Sequence, residues 1–202
     1  MDVLIEALLD GFEGSVMGSH LAESVGDIMR VARLAAYGHH NKGDKRQYTG
    51  EPYIVHPMEV AKTVMSAGGT AAMVKAGLAH DTLEHGAVSA DDLLGAAGEE
   101  TFGMVVELTD VNNPSEGNRA ARKAKIRERL SKASEGAKSV KLADVLSNSK
   151  SIADRAPSFA QVYIKELTAL LQEMQGGSPA IRAEAVASVN AAAMRLSALS
   201  AA

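Results

Sequence analysis

Apolar residues in this chain recur every three or four positions, the spacing that places them on one face of an α-helix. Val25, Ile28, Val31, Ala32, Ala35 and Ala36 predict a helix over Ser24 to His40, broken by the polar turn Asn41-Lys42-Gly43-Asp44. A loop from Lys45 to Val55 leads to Pro57, a good first-turn residue for a helix running to about Ala67 and ended by Gly68-Gly69. The apolar stretch Ala71 to His85 predicts one continuous helix closed by Gly86. Ser89 reads as an N-cap, with Asp91 and Asp92 placed to complement the helix dipole. Further helices are predicted over Glu99 to Thr109 (before Asn112-Asn113-Pro114), Arg119 to Ala133, Ala137 to Ala153 and Phe159 to Gln175. A last, Ala-rich helix runs from Ile181 to Leu199, after the stop and start at Gly176-Gly177-Ser178-Pro179.

No run alternates as a strand would, so the expected fold class is all-α, a helical bundle in a single compact domain. The expected division is an N-terminal extension over 1–22, the domain over 23–176 and a C-terminal helix over 177–202. The extension reads as a short helix, Val3 to Leu9, followed by a connection with Gly11, Gly14 and Gly18. The extension and the last helix both leave a homo-oligomer open.

Composition agrees with close helix packing. Of 202 residues 46% are apolar but only 3% aromatic, so Ala, Leu, Val and Met must fill the core. Cysteine is absent, which excludes disulfides and thiolate chemistry. A net charge of −4 argues against a general nucleic-acid binder, which needs a broad basic surface. No stretch approaches the roughly 20 apolar residues of a membrane span, and the first residues lack the pattern of a secretory signal. The expected setting is the cytoplasm.

Three segments carry metal-capable side chains: His56 before Pro57, the pair His80-Asp81, and Asp144. Two imidazoles and two carboxylates form a mixed N/O ligand set suited to a divalent ion of Mn²⁺ or Fe²⁺ character. In a continuous helix Glu84 would lie one turn beyond His80, and His85 one turn beyond Asp81, where a group acting on water belongs. A lone histidine in an apolar helix is more often a hydrogen-bonded core residue. Spacing alone therefore leaves the set undecided between a metal centre and packed polar residues.

Read in order, Gly50-Glu51-Pro52-Tyr53-Ile54-Val55-His56-Pro57, Ala79-His80-Asp81-Thr82-Leu83-Glu84 and Val140-Lys141-Leu142-Ala143-Asp144, with Asn148 four residues on, resemble the RelA/SpoT-type hydrolase domain. Glu107-Leu108-Thr109-Asp110 resembles the segment between that family's second and third motifs, and the likeness covers about 24–175. The resemblance implies an all-α HD domain that removes the 3′-pyrophosphate from ppGpp or pppGpp with Mn²⁺ as cofactor. It implies His56, His80, Asp81 and Asp144 as metal ligands and Glu84 as the group acting on the nucleophilic water. Lys45-Arg46 matches a family Arg-Lys pair in reversed order, serving base and phosphate in either assignment. Asn148 matches a residue near ribose and base, and Tyr163 one that contacts substrate, with half-buried packing as the plainer reading of Tyr163.

The sequence departs from the family at His85, where an Asp usually completes the catalytic pair with Glu84. Retained activity, altered substrate preference and a slow enzyme all stay open, and retained activity is the expectation because all four ligands and Glu84 are present. Within the basic run Arg119 to Arg129 most charges read as a solvated face, with Arg122 and Lys123 as candidates for distal phosphates. His20, His39 and His40 read as surface or packing residues, with His40 a candidate for ordering the following loop. The length leaves no room for a nucleotide synthetase domain. The reversed Lys45-Arg46 makes adenosine analogues such as ppApp candidate substrates. Competing readings are another HD-type nucleotide phosphohydrolase and a non-catalytic alarmone-binding module.

Overall fold

In the computed structural model, residues 19–110 and 117–201 are described. They form nine helices: α1 (Ser19–Lys42), α2 (Val55–Ser66), α3 (Ala71–Ala79), α4 (Ala90–Ala97), α5 (Glu99–Leu108), α6 (Arg119–Ser131), α7 (Glu135–Arg155), α8 (Pro157–Glu173) and α9 (Pro179–Ala201). The only β-pairing among the described residues is an isolated antiparallel bridge, Lys45 with Pro52, closing the loop between α1 and α2. The expected short helix over Val3 to Leu9 and the stop at Asn112-Asn113-Pro114 lie outside the described residues. No described helix is long and apolar enough to cross a membrane.

Local chemistry starts several helices where the sequence predicts. Thr70, Ser89, Asn118 and Ser134 each sit in extended backbone and accept a hydrogen bond from an N–H of the first turn. Helix α7 is the central element and packs against α2, α3, α5, α8 and α9. Its apolar residues are small or branched, with Ala137, Val140, Leu142, Ala143, Val145 and Leu146 all buried. Such residues let neighbouring helices approach closely, which is how a core almost free of aromatics can still be closely packed. The last helix docks along α7 and α8, burying Ile181, Ala185, Val189, Ala192 and Leu196, and Ser149 meets Ser188 at 2.7 Å.

Two features place the site. At Gly77 in α3 a Cβ would come within 3.0 Å of the Ala61 Cα in α2, so the glycine allows these helices to touch. That contact brings the end of α3 beside the start of α2. The second feature corrects the continuous helix expected over Ala71 to His85. Helix α3 stops at Ala79, and 80–85 are turns. The Thr82 N–H and hydroxyl both donate to the Ala79 carbonyl, at 2.9 and 2.7 Å, which tightens the chain to an i−3 turn and breaks the α ladder. One α-type bond remains, from His85 N–H to Asp81 O at 3.0 Å, and Gly86 ends the turn at φ 60°.

Candidate active site

His56 opens α2 and is buried. Ser147 of α7 donates its hydroxyl to Glu59 Oε2 at 2.6 Å, so its oxygen is left to accept from His56 Nδ1–H at 3.0 Å. This chain fixes the tautomer and leaves the His56 Nε2 lone pair facing Asp144 Oδ1 at 3.1 Å and Asp81 Oδ2 at 3.7 Å. His80 behaves alike. Its Nδ1–H donates to the Gly77 carbonyl at 2.8 Å, and its Nε2 lies 3.1 Å from Asp81 Oδ2 and 3.8 Å from Asp144 Oδ1. Yet Nε2 is buried with no hydrogen-bond partner of acceptable geometry. Two imidazole lone pairs and two carboxylates around one point repel unless a positive charge sits among them.

The protonation of the site expresses that demand. Burial favours neutral His80, but the charges of Asp81 and Asp144 outweigh it and hold its pKa up at about 9. Burial likewise favours the neutral acids, yet His80 beside Asp81 and Lys141 beside Asp144 keep both carboxyls well below the usual range. A divalent ion supplies the missing charge. His56, His80 and Asp81 place one donor atom each within 4.8 Å of one another. Adjacent ligands about 3 Å apart are what an octahedral ion with bonds of about 2.1 Å requires. Both carboxylates are oriented from outside the cluster: Asp81 Oδ2, which faces the imidazoles, also accepts from Tyr53 Oη–H at 2.7 Å, and Asp144 accepts from Asn148 Nδ2 on its facing Oδ1 at 2.5 Å and from Lys141 Nζ on Oδ2 at 2.7 Å. The residues present fit the metal.

Glu84 follows in the turn after α3. Burial raises its pKa, Asp81's charge adds to this, and an N–H bond from Asp110 at 3.2 Å works against it. The segment holding it is secured by α6, where Arg129 donates to Thr109 O at 2.6 Å and Lys123 pairs with Asp110 at 3.4 Å. A carboxylate that water can reach and whose pKa is raised is suited to exchange a proton with water. The basic helix therefore braces Glu84. Arg119 pairs with Glu166, Arg122 donates to Gly117 O, and Arg127 pairs with Glu173.

The ring of His85 points elsewhere. Its Nδ1 lies 3.1 Å from Asp44 Oδ2, which also receives Nδ1 of buried His39 at 2.8 Å. Tyr53 packs beside both rings, with centroids 4.7 Å from His39 and 4.5 Å from His85. His39, Asp44 and His85 have the composition of a second metal group. They fail the test that His56 passes. His39 Nε2 is buried and unpartnered, so a metal on Nδ1 would strand an N–H, whereas metal-bound histidines donate that proton. Hydrogen bonding to one carboxylate accounts for the group. Burial lowers the His39 pKa, and the bonds from His39 and His85 keep Asp44 ionised against its own burial. His39, rather than His40, thus orders the loop.

Beside these groups lies a pocket of about 400 Å³, within the usual size of a small-ligand site. Lys45, Arg46, His85, Asn148 and Tyr163 all line it, so the five residues expected at the substrate end or beside the water do share one cavity. Arg46 donates to Asn148 Oδ1 at 3.2 Å, and Asn148 in turn donates to Asp144, linking pocket to metal centre. Phe159 stacks on Tyr163 at 5.3 Å, with the Arg119 guanidinium 5.6 Å from the Phe159 ring. Sequence reasoning missed Tyr53, Asp44, His39, Lys141, Arg155 and Phe159. Tyr53 and Lys141 stand inside the ordered motifs that carry the resemblance, and their position there was the available signal.

A family model described as the HD domain matches residues 32–176. The chain belongs to the HD-domain family. This HD domain is a metal-dependent hydrolase fold, and its His-Asp cluster fits a divalent ion. The HD chain is 33% identical over 134 residues to the human guanosine-3′,5′-bis(diphosphate) 3′-pyrophosphohydrolase MESH1, covering 65% of this chain and 70% of that protein. A solved structure of a metazoan SpoT orthologue, described as hydrolysing ppGpp, aligns with a TM-score of 0.72 at 20% identity, covering 88% of this chain and 97% of that one. That likeness establishes the fold. A probable guanosine-3′,5′-bis(diphosphate) 3′-pyrophosphohydrolase of Synechocystis sp. is 33% identical over 82 residues, 41% of this chain. The HD chain spans only 11% of that relative's length, and 22% and 13% of counterparts in Mycoplasma pneumoniae and Aquifex aeolicus.

Proposed function

We propose that this chain is a Mn²⁺-dependent hydrolase that removes the 3′-pyrophosphate from ppGpp and pppGpp, with ppApp-type nucleotides as adenine counterparts. The observation supporting this most is the direct link, through Asn148, between a cluster that demands a cation and a pocket lined by basic and aromatic side chains. The relatives' activity on guanosine-3′,5′-bis(diphosphate) supports the choice of substrate.

His56, His80, Asp81 and Asp144 would hold the ion. When bound, such an ion lowers the pKa of water and offsets phosphate charge. Glu84, with its raised pKa, takes the proton of the attacking water. The water oxygen bonds to the phosphorus carried by the 3′-oxygen, the P–O3′ bond breaks, and the 3′-oxygen leaves to be protonated. GDP or GTP and pyrophosphate result. Arg46 suits the planar base and Lys45 the phosphates, because guanidinium stacks where ammonium acts as a point charge. Lys141, kept cationic against its burial by Asp144, holds positive charge beside the reacting phosphate. The cytoplasm is where a nucleotide substrate of this kind would be met.

The test is incubation of the purified protein with Mn²⁺ and, separately, ppGpp, ppApp, GMP and NADPH, with the products resolved by chromatography. Pyrophosphate release from an alarmone is expected. Release from neither, or turnover of GMP or NADPH alone, overturns the reading.

A further inference from the structure

The loop of residues 44–53 carries Lys45 and Arg46, and its base is Asp44. Four hydrogen bonds from three segments meet at this residue. Its N–H donates to His39 O of α1 at 2.9 Å, and its carbonyl accepts from Tyr53 N–H at 3.3 Å. One carboxylate oxygen, Oδ2, accepts from His39 Nδ1 and from His85 Nδ1. The rest of the loop is tied outward by two side chains, Arg46 to Asn148 Oδ1 at 3.2 Å and Tyr53 Oη–H to Asp81 Oδ2 at 2.7 Å, while Arg46 N–H to Glu51 O and Gly50 N–H to Arg46 O, both 2.9 Å, are bonds within the loop itself.

We propose that Asp44 is a positioning residue that clamps the substrate loop to the catalytic turn through His85, so that Lys45 and Arg46 keep a fixed place relative to Asp81 and Glu84. The pair is mutually dependent. His85 Nδ1 and the Oδ atoms of an aspartate lie the same number of bonds from the backbone, so an aspartate at 85 would set one carboxylate against another about 3 Å away. The loop would be driven off the turn. Asparagine at 44 resolves the conflict, because its Oδ1 accepts from His39 Nδ1–H while its Nδ2–H₂ donates to a carboxylate at 85. His85 and Asp44 are thus matched to each other, and His85 is the residue this loop geometry requires.

The clamp rests on the pyrophosphohydrolase reading only for its kinetic test. With ppGpp and saturating Mn²⁺, His85→Ala should raise KM about tenfold, the effect of losing one charge-assisted hydrogen bond, and Asp44→Ala, which also releases His39, at least as much, with kcat within about threefold in both. The double variant should be no worse than Asp44→Ala alone. H85D should lose at least about tenfold in kcat/KM, and D44N/H85D should return to within about threefold of D44N. An H85D enzyme as active as the parent, additive losses in the double alanine variant, or no recovery in D44N/H85D would each overturn the clamp. If the parent protein releases no pyrophosphate, the functional reading falls while the clamp stays testable. Hydrogen exchange at the Arg46 and Gly50 amides should then speed up about tenfold in Asp44→Ala with α7 amides unchanged, and unchanged loop exchange would refute it.

Discussion

Ser147→Ala isolates what the hydrogen-bond chain behind His56 contributes. The parent serine accepts from His56 Nδ1–H and donates to Glu59. Alanine leaves that N–H buried without a partner, which costs about 1–3 kcal/mol, or roughly 5- to 150-fold in any equilibrium that requires this tautomer. The imidazole also becomes free to carry its proton on Nε2, and in that form it presents no lone pair to a metal. Groups that orient metal ligands typically change affinity by about 10- to 100-fold, so both routes converge on a Mn²⁺ dissociation constant raised by one to two orders of magnitude. The fold should survive, because alanine is the best helix former and Glu59 is exposed and can bind water instead. Isothermal titration with Mn²⁺ and the Mn²⁺ dependence of turnover provide the measurement, and high Mn²⁺ should restore most of the rate. An unchanged affinity, or a rate that no Mn²⁺ concentration restores in a folded variant, refutes the reasoning.

Gly77→Ala should force α2 and α3 apart, because the new Cβ meets backbone at 3.0 Å; urea unfolding should show a loss of about 1–3 kcal/mol, and parental stability would mean the helices adjust freely. Glu84→Gln should lower kcat by about 10²- to 10⁴-fold while leaving Mn²⁺ affinity nearly unchanged, and a rate within threefold of the parent would remove Glu84 from the chemistry. In the metal-free protein His80 has its pKa raised from 6.5 to about 9, so the stabilisation from its proton is complete below pH 6.5 and lost as pH rises through 9. The melting temperature of metal-free protein should therefore fall over that window. Bound metal displaces the proton and should flatten the fall, and a metal-free melting curve already flat from pH 6.5 to 9 would contradict the charge balance described for the site.

Much of this was legible in the sequence where a signal is local. Ser89 and Gly68 end or begin helices through their own backbone chemistry, so each could be read from one short stretch. The overrun at 80–85 shows the boundary of that method. The apolar spacing continues through Leu83, but the Thr82 hydroxyl and amide capture one carbonyl and end the helix against the pattern. The metal-capable residue types at 56, 80, 81 and 144 were readable, whereas their convergence depends on Gly77 bringing two helices together. His39 reads from sequence as a surface or packing residue, and its burial decides for packing. Its partnership with Asp44 escaped notice because it bridges a helix end and a turn, and its link to His85 spans a further 41 positions of chain.

Helix α7 carries Lys141, Asp144, Ser147 and Asn148 on successive turns of one face and is backed along its length by α9. The helix acts as a ruler, with its rise of about 1.5 Å per residue setting the spacing between hydrolytic centre and binding cavity. Under the proposed function, recognition falls largely to the 44–53 loop and to α8. On that reading, sequence drift in those two parts would retune which nucleotide is accepted while the graduation of the ruler, and with it the proposed hydrolytic chemistry, stays unchanged.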